Sequence, residues 1–413
     1  MRTHPHCFPT LPNCSIAGAL FLLAALPDNS TAANVQVSSR SALQNALQRA
    51  QPGDRIEIGP GTYRGGISAQ DLSGEAGNPI VIHGIAGDDG TLPVFSGGSS
   101  AFHFSNCSHL VIRNLRVTDC SGNGINIDDG GSSGTPAQDI LVENVVIQNI
   151  GPMGNHDALK LSGVTDFQVR DCAISGWGGS GIDMVGCRDG IIADCRFEGK
   201  EGFSQSNAVQ IKGGSRNIQV MRCFFKDPGH RAINIGGSTG LPYFRPEPED
   251  FEAKEVEIAG NRFVGGMAAI AWATAQGGRV HHNTFYGQDK WILRILQENQ
   301  DPRFRPCAGG VFENNVVVHD NRVQVHVNVG PGVDAGSFTF RENVWHNREA
   351  AGARAPQLPA KETEGVYDVD PELALAGESE LQVRSRNARL AGKGAEGFEP
   401  AGGKGAPPGR SDP

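Results

Sequence analysis

The residues with the clearest capacity for chemistry lie in a series of short segments between positions 124 and 236. Apolar and polar residues alternate in each segment, as in AVQIKGG from position 208, so the polar side chains of a strand point away from its buried face. Superposing the segments places five residues in one column: Asn126, Lys160, Asp183, Gln210 and Asn234. Lysine and aspartate are among the side chains that enzymes use as general bases and acids, so this column is a candidate active surface.

Further polar groups flank this column on both sides. Two positions later in the strands come Asp128, Ser162 and Lys212, and just before the strands come His156, Asp157, Asn207, His230 and Arg231. A solvated surface pair worth at most about 1 kcal/mol is an alternative interpretation of Lys160 and Asp183. The convergence of so many ionisable groups favours a binding or catalytic groove.

Three long insertions follow the strands at one end, and they predict a wall along this groove. They are GGSSGTPAQ after Asp128, GGSTGLPYFRPEPEDFEAKE after Ile235 and QENQDPRFRPCAGG after Leu296. Long loops on a rigid scaffold commonly carry binding and catalysis. In the second insertion, Tyr243 and Arg245 are suited to stacking on an anionic sugar and pairing with it.

A second repeated segment, from HLVIRNLRV at position 109 to SFTFRENVW at 337, indicates how the groove is built. Its members align seven residues at spacings of 22 to 38, namely Cys172, Cys195, Cys223, Asn261, Asn283, Asn315 and Asn343. In a parallel β-helix, equivalent residues of successive coils stack at about 4.8 Å. Asn at a repeated bend can bond its own backbone and that of the next coil, and the cysteines are interpreted as small apolar members of the stack.

The alternation also predicts which side chains form the core. The inward pairs are Ile125 and Ile127, Leu159 and Leu161, Ile182 and Met184, Val209 and Ile211, Ile233 and Ile235, and Ile270 and Trp272. In KWILRILQEN we expect a slip of one residue that buries Trp291 and Leu293 and leaves Arg294 outside as a candidate for substrate binding. Residues 39–51 predict a short amphipathic helix that covers the first coil.

Composition and charge are consistent with a single all-β domain over residues 34–397. We expect its segment 348–397 to form degenerate coils or a cap and residues 398–413 to form a flexible tail. Among 413 residues, 56 are Gly and only 20% are charged, which favours tight turns between short strands. The net charge of −9 argues against a nucleic-acid partner. Residues 1–33 resemble a signal peptide whose apolar run is too short to span a membrane, so we expect a secreted or periplasmic monomer.

The stretch SRSALQNALQRAQPGDRIEIGPGTYRGG, followed by GNPIVIHG, is similar to the opening of secreted right-handed parallel β-helix proteins of the chondroitinase B and alginate lyase type. The coils with their Asn column resemble the wider pectate-lyase-like superfamily. The resemblance implies a single-stranded right-handed parallel β-helix that cleaves an acidic polysaccharide by β-elimination at a uronate residue.

The resemblance also implies roles for particular residues. In the chondroitinase-like lyases a Lys is the base, an Arg on the following coil assists it, and Ca²⁺ held by acidic residues neutralises the uronate carboxylate. Lys212 and Arg231 match the first two positions approximately, but FSQSNAVQI before Lys212 contains no acid. Calcium therefore has no evident ligands, and Asn207, Gln210, Asn234, His230 and Arg231 are candidate donors, with Lys212 or His230 as the base.

Other functions are compatible with the same residues. A glycoside hydrolase needs two carboxyl groups about 5 to 9.5 Å apart, which Asp128, Asp157 and Asp183 can supply across one or two coils. A uronate C5 epimerase needs His, Arg and Asp around the same proton. A non-catalytic carbohydrate-binding protein needs only the loops and aromatic residues.

Overall fold

The computed structural model describes residues 32–132, 134–350, 352, 354–376 and 380–399. Residues 1–31 of the predicted signal peptide and 400–413 of the predicted tail lie outside the described residues. Within those ranges, no helix has both the length and the apolar character needed to cross a membrane.

The chain winds into a solenoid of parallel strands arranged in two large sheets. The ten-stranded sheet, here called the groove sheet, contains Ile67–Gln70, Phe102–Ser105, Ile125–Asp128, Leu159–Ser162, Ser180–Val185, Asn207–Lys212, Arg231–Gly236, Ala268–Ala273, Trp291–Leu296 and Val327–Val329. The 22-stranded sheet contains Asn34–Val37, Arg55–Ile58, Thr62–Arg64, Ile80–Gly84, Val94–Ser96, Ser108–Thr118, Ala137–Ile150, Val164–Arg170, Ala173–Trp177, Arg188–Ala193, Arg196–Glu198, Ser215–Met221, Phe224–Lys226, Ala253–Ala259, Arg262–Val264, Ala275–Gln276, Arg279–His281, Thr284–Tyr286, Val311–Glu313, Val316–His319, Thr339–Arg341 and Val344–Asn347.

The bend within the larger sheet carries the predicted column of Cys and Asn. The residue before each column member has a positive φ, as at Asp171, Asp194, Arg222 and Gly260, which turns the chain sharply. Higher in the column, the backbone N–H of Asn261 donates to Asn283 Oδ1, and that of Asn283 donates to Asn315 Oδ1, both at 2.9 Å. The Asn ladder is thus confirmed.

The cysteines occupy the lower part of the same column, as predicted. Cys172, Cys195 and Cys223 are buried and unbridged. Burial raises the pKa of the Cys195 thiol well above its ordinary value, while for Cys172 its contact with Cys195, followed by burial, does so. Thiols held in the neutral form are poor nucleophiles, which agrees with a packing role.

The predicted inward residues form one continuous core. Every predicted pair from Ile125 and Ile127 to Ile270 and Trp272 has at most 1% of its surface exposed. On the neighbouring wall, the rings of Phe197, Phe225, Phe263 and Phe285 stack in line with centroids 4.8 Å apart. This spacing is the rise from one coil to the next, so equivalent residues do lie directly above one another.

One prediction about the core is wrong. In the strand Trp291–Leu296, Leu293 is buried and Arg294 faces outward as expected, but Trp291 is only half-buried. Leu293 pairs with Ile270 and Ile295 pairs with Trp272, whereas Trp291, the first residue of the strand, pairs with the small buried Ala268. Its ring lies on the outer face of the groove sheet, where Arg294 packs over it with the guanidinium carbon 4.5 Å from the ring centroid.

Both ends of the solenoid are covered within the described residues. The helix Arg40–Arg49 buries Leu43 and Leu47 over the first coil, and the Ser39 side chain caps it by accepting from Ala42 N. At the other end, single bridges Arg341 to Thr363 and Val344 to Val366 begin an incomplete coil. The antiparallel hairpin Leu373–Ala376 and Glu380–Val383 and the short 3-10 turns Ala388–Leu390 and Ala395–Gly397 follow it.

Candidate functional site

A cleft of about 540 Å³ lies on the outer face of the groove sheet. It is lined by Ser206, Asn207, Gln210, Lys212, His230, Arg231, Asn234, Gly237, Ser238, Met267, Trp291, Arg294 and Glu298. The predicted site residues among these are Asn207, Gln210, Lys212, His230, Arg231, Asn234 and Arg294. Because the strands are parallel and in register, residues from four successive coils share this one surface.

Amide side chains form the floor of the cleft. Gln210 pairs with Asn234 on the next coil, and Gln210 Oε1 accepts from Asn207 Nδ2 at 2.6 Å and from Asn234 Nδ2 at 3.3 Å. Asn234 is 1% exposed, and its Oδ1 accepts no hydrogen bond from any described residue. A buried acceptor without a donor is costly, so the floor is suited to receiving a donor from a ligand or water.

Basic side chains dominate the walls of the cleft. Arg231 donates from Nη2 to Glu298 Oε1 at 2.6 Å, and Arg294 donates from Nε to Asn328 Oδ1 at 3.1 Å. The Lys212 ammonium lies 2.9 Å from Asp183 Oδ1. Three of the described lining residues, Lys212, Arg231 and Arg294, carry a positive charge, and only Glu298 carries a carboxyl group. The formal charge of the lining is therefore +2 with His230 neutral.

A buried cluster of charges lies directly beside the cleft and contains three more of the predicted residues. Lys160 Nζ lies 3.0 Å from Asp157 Oδ2 and 2.5 Å from Asp183 Oδ2. Both carboxylates are completely buried, so the alternative of a solvated surface pair is wrong for Lys160 and Asp183. Burial disfavours the charge of Lys160, but the carboxylates of Asp183 and Asp157 outweigh it and raise the lysine pKa. Burial and then the nearby Asp183 charge raise the pKa of Asp157.

The three insertions contact one another, as expected for a wall. Arg245 of the second insertion pairs with Asp129 beside the first, with Nε 3.0 Å from Oδ2. Phe244 packs against Phe304 of the third insertion, with ring centroids 5.6 Å apart. The buried carboxylate of Glu252 accepts from Gly213 N, Thr239 N and Asn299 Nδ2 at 2.6 to 2.8 Å, which fastens two insertions to the residue after Lys212.

The remaining predicted residues lie outside the lining of the cleft. Asn126 accepts from Asn123 Nδ2 at 2.9 Å and donates to Ser100 Oγ at 3.2 Å. His156 packs against the turn at Gly151. Tyr243 is 68% exposed, and Arg245 is engaged by Asp129. The alternation assigned these side chains to the correct face of the sheet or to the wall, but it did not show how far the cleft extends.

Asp128 also has its own partners away from the cleft. It accepts hydrogen bonds from His103 Nε2 at 2.6 Å and Ser105 Oγ at 2.7 Å. Burial opposes the ionised form, but these hydrogen bonds outweigh it and lower the pKa of Asp128. An ionised, already bonded carboxylate of this kind is a poor general acid.

The donor set of the cleft does not fit calcium. Ca²⁺ takes six to eight oxygen ligands and prefers several carboxylates. The cleft offers the single carboxylate of Glu298, already paired with Arg231, among surrounding cations. Within the described ranges, no three His, Cys, Asp or Glu side chains are grouped as a metal site requires.

Sequence reasoning did not assign six of the lining residues to the site, and the two with the largest chemical significance are Trp291 and Glu298. The alternation of KWILRILQEN with a slip of one residue predicts Trp291 in the core. Glu298 lies two residues beyond the strand Trp291–Leu296, at the beginning of the third insertion. Its position at the strand end, where the other insertions also leave, is the signal that identifies it in retrospect.

Residues 100–285 match the family described as "Right handed beta helix region". The coil is therefore right-handed, and the fold class predicted from the sequence is confirmed. No curated protein matches the sequence.

Solved structures of similar fold include carbohydrate-active enzymes of two kinds. An alginate lyase from Paenibacillus sp. str. FPU-7 is 18% identical with a TM-score of 0.51, over 74% of this chain and 98% of that one. A PL6 family polysaccharide lyase from Pseudopedobacter saltans is 17% identical with a TM-score of 0.53, over 89% and 100%. A GH87 α-1,3-glucanase from Streptomyces thermodiastaticus strain HF3-3 is 16% identical with a TM-score of 0.50, over 83% and 69%. At these identities the likeness concerns the fold, and function has to be argued from the cleft.

Proposed function

We propose that this protein is a secreted lyase that cleaves a uronate-containing polysaccharide by β-elimination. The observation that carries the proposal is the basic character of the cleft on a chain whose net charge is −9. Its lining is formally +2, and the balance is still +1 when the adjacent Lys160, Asp157 and Asp183 are counted. A local concentration of positive charge on an acidic protein selects anionic ligands. The apolar run within residues 1–33 supports export to where such polysaccharides occur.

The lining also provides what elimination requires of a protein. The C5 proton of a uronate becomes acidic only when the neighbouring carboxylate is neutralised by cations or strong donors. Lys212, Arg231 and Arg294 supply the cations, and the half-buried ring of Trp291 offers an apolar face for a sugar. Because the donor set does not fit calcium, no step of the proposal is routed through a metal ion.

The alternative of a glycoside hydrolase is less well supported by the same cleft. Hydrolysis needs two carboxyl groups that reach the glycosidic bond from the two sides. Asp157 and Asp183 have no exposed surface, and Asp128 is held by His103 and Ser105. Among the described lining residues only Glu298 offers a carboxyl group, and Arg231 engages it.

The proposal is tested by incubating the purified protein with a panel of uronate polysaccharides and following ultraviolet absorbance. Elimination creates a conjugated C4–C5 double bond that absorbs, whereas hydrolysis and epimerisation do not. We expect absorbance to rise with at least one polysaccharide. New reducing ends without absorbance would contradict the proposal and support hydrolysis, and inverted C5 centres without cleavage would support an epimerase.

A matched pair of variants tests whether the reaction takes place in this cleft. We expect Arg231→Gln to lower kcat/KM by at least about 100-fold, since it removes a cation aimed at the developing charge. Arg196→Gln is the control, because Arg196 also pairs with a glutamate, Glu198, at 3.1 Å but lies in the other sheet. Equal losses in both variants would place the activity elsewhere.

A further inference from the structure

The buried charges beside the cleft constrain the protonation state of Lys212. Asp183 has no exposed surface, and the ammonium groups of Lys160 and Lys212 lie 2.5 Å and 2.9 Å from its two oxygens. If Lys212 lost its proton, the buried Asp183 would lose one of the two cations in contact with it. A carboxylate this close to an amine, with no surface exposed to water, favours the charged form of the amine.

The contact between Lys212 and Asp183 also leaves the ammonium able to bind something else. Asp183 Oδ1 lies 2.9 Å from Lys212 Nζ but accepts no well-aligned hydrogen bond from any described residue. The interaction is therefore mainly one of charge, and the N–H groups of Lys212 stay free to point into the cleft. The Lys212 side chain is 20% exposed there.

The other titratable groups of the cleft, with one exception, are engaged. Arg231 pairs with Glu298, and Arg294 is bonded to Asn328 and packs on Trp291. The His230 side chain is exposed in the cleft and has no hydrogen bond or ion pair with any described residue. A neutral imidazole has one nitrogen that can accept a proton, which no cation of the cleft can do.

We infer that Lys212 works in its protonated form, binding the uronate carboxylate, and that His230 removes the C5 proton. This inference rests on the proposed lyase function. It differs from the assignment suggested by resemblance, in which the lysine is the base. Asp183 and Lys160 then act as positioning residues, because they reach the substrate only through the charge and placement of Lys212.

The chemical step balances without a further reactant. An imidazole nitrogen of His230 takes the C5 proton, and the electrons of the C5–H bond form the C4–C5 double bond. The C4–O bond breaks, its electron pair leaves with the oxygen, and that oxygen takes a proton from water. The imidazolium returns its proton to the resulting hydroxide once the product has left.

The test compares variants at Lys212 and His230 on a polysaccharide that the unaltered protein cleaves. Lys212→Arg keeps the charge but cannot act as a base, and we expect it to keep at least about a tenth of kcat/KM, whereas Lys212→Met loses about 100-fold or more. His230→Gln should lose about 100-fold or more and should also lose the acid limb of the pH profile. A Lys212→Arg variant as inactive as Lys212→Met, or a His230→Gln variant that stays active, would overturn the inference.

A pH profile of the Lys160→Met variant separates a positioning role of Lys160, exerted through Lys212, from a merely structural role. The charged and titratable groups that surround Lys212 and His230 are Asp157, Lys160, Asp183, Arg231, Arg294 and Glu298. Without Lys160, Lys212 is the one described cation left in contact with Asp183, so we expect the alkaline limb of kcat/KM to move to higher pH. A shift of the acid limb instead would make Lys212 the base, and a uniform loss at every pH would make Lys160 only a structural residue. If the unaltered protein gives no absorbance with any uronate polysaccharide, the proposed function itself fails, which is a different result from any of these.

Discussion

Replacing Asn283 with alanine should destabilise the coils around it strongly. Asn283 is completely buried, and its Oδ1 accepts from both the backbone N–H and the side-chain Nδ2 of Asn261 at 2.9 Å. Its own Nδ2 donates to Ile258 O and His281 O at 2.9 Å and to Asn315 Oδ1 at 3.1 Å. The alanine variant therefore orphans the backbone N–H of Asn261 and breaks four other hydrogen bonds.

The expected magnitude follows from these bonds. An orphaned buried donor costs about 1–3 kcal/mol and each lost hydrogen bond about 1 kcal/mol, partly recovered by relaxation, so we expect a loss of about 3–5 kcal/mol. The assay is urea unfolding followed by circular dichroism, combined with amide hydrogen exchange of the coils that contain Asn261 and Asn315. Exchange is needed because a solenoid need not unfold as one cooperative unit.

Two further variants sharpen this experiment. In Asn283→Cys the thiol keeps one weak donor, since Cys195 Sγ at the equivalent position lies 3.2 Å from Ala193 O and 3.6 Å from Val169 O. It lacks the acceptor for Asn261, so its loss should fall between zero and that of the alanine variant. Asn321→Ala removes an exposed bond to Asn347 and should cost less than about 0.5 kcal/mol. A loss below about 1 kcal/mol for Asn283→Ala would refute the argument that the ladder stabilises the coils.

Three other predictions follow from the site and the C-terminal coils. Chelation with EDTA should leave kcat/KM unchanged, because the cleft does not fit Ca²⁺, and a chelator-dependent loss restored by calcium would contradict that conclusion. Trp291→Ala should weaken binding of a uronate oligosaccharide about tenfold in a calorimetric titration, or about 1.4 kcal/mol, while an unchanged Kd would mean that the ring does not contact the sugar. Burial and the neighbouring His319 lower the pKa of His326 to about 4, below its ordinary value of 6.5, so the unfolded chain binds more protons between these values and stability should fall as pH drops from 6.5 to 4. His326→Gln should flatten this dependence in urea unfolding curves, and an unchanged slope would assign it to other groups.

Much of the scaffold was predictable from the sequence because its signals are local and repeated. Alternation in a strand decides which side chains face the core, and the correct pairs were found from Ile125 to Trp272. The Asn column was equally visible, because a bend that recurs in every coil places the same chemistry at each one. Even the helix Arg40–Arg49 could be expected from its apolar spacing.

The parts of the site that could not be predicted depend on contacts between distant segments. Alternation assigns Asp183 to the outer face, but its complete burial depends on side chains and loops that cover that face. Trp291 is the first residue of its strand, and its ring packs against Arg294 on the outer face instead of entering the core as alternation predicts. The pairing of Arg231 with Glu298 joins residues 67 positions apart and depends on the path of an insertion.

The row of phenylalanine rings, repeated every 4.8 Å, makes each turn of the solenoid an interchangeable module. Duplication of one complete turn inserts a ring, a bend and a strand at the same step, so it lengthens the binding surface while every neighbour keeps its partner. Loss of part of a turn has the opposite effect, because every module beyond it is displaced from its stack. Genetic change in such a protein is therefore expected to add or remove whole turns, and the length of the groove sheet would change in fixed increments.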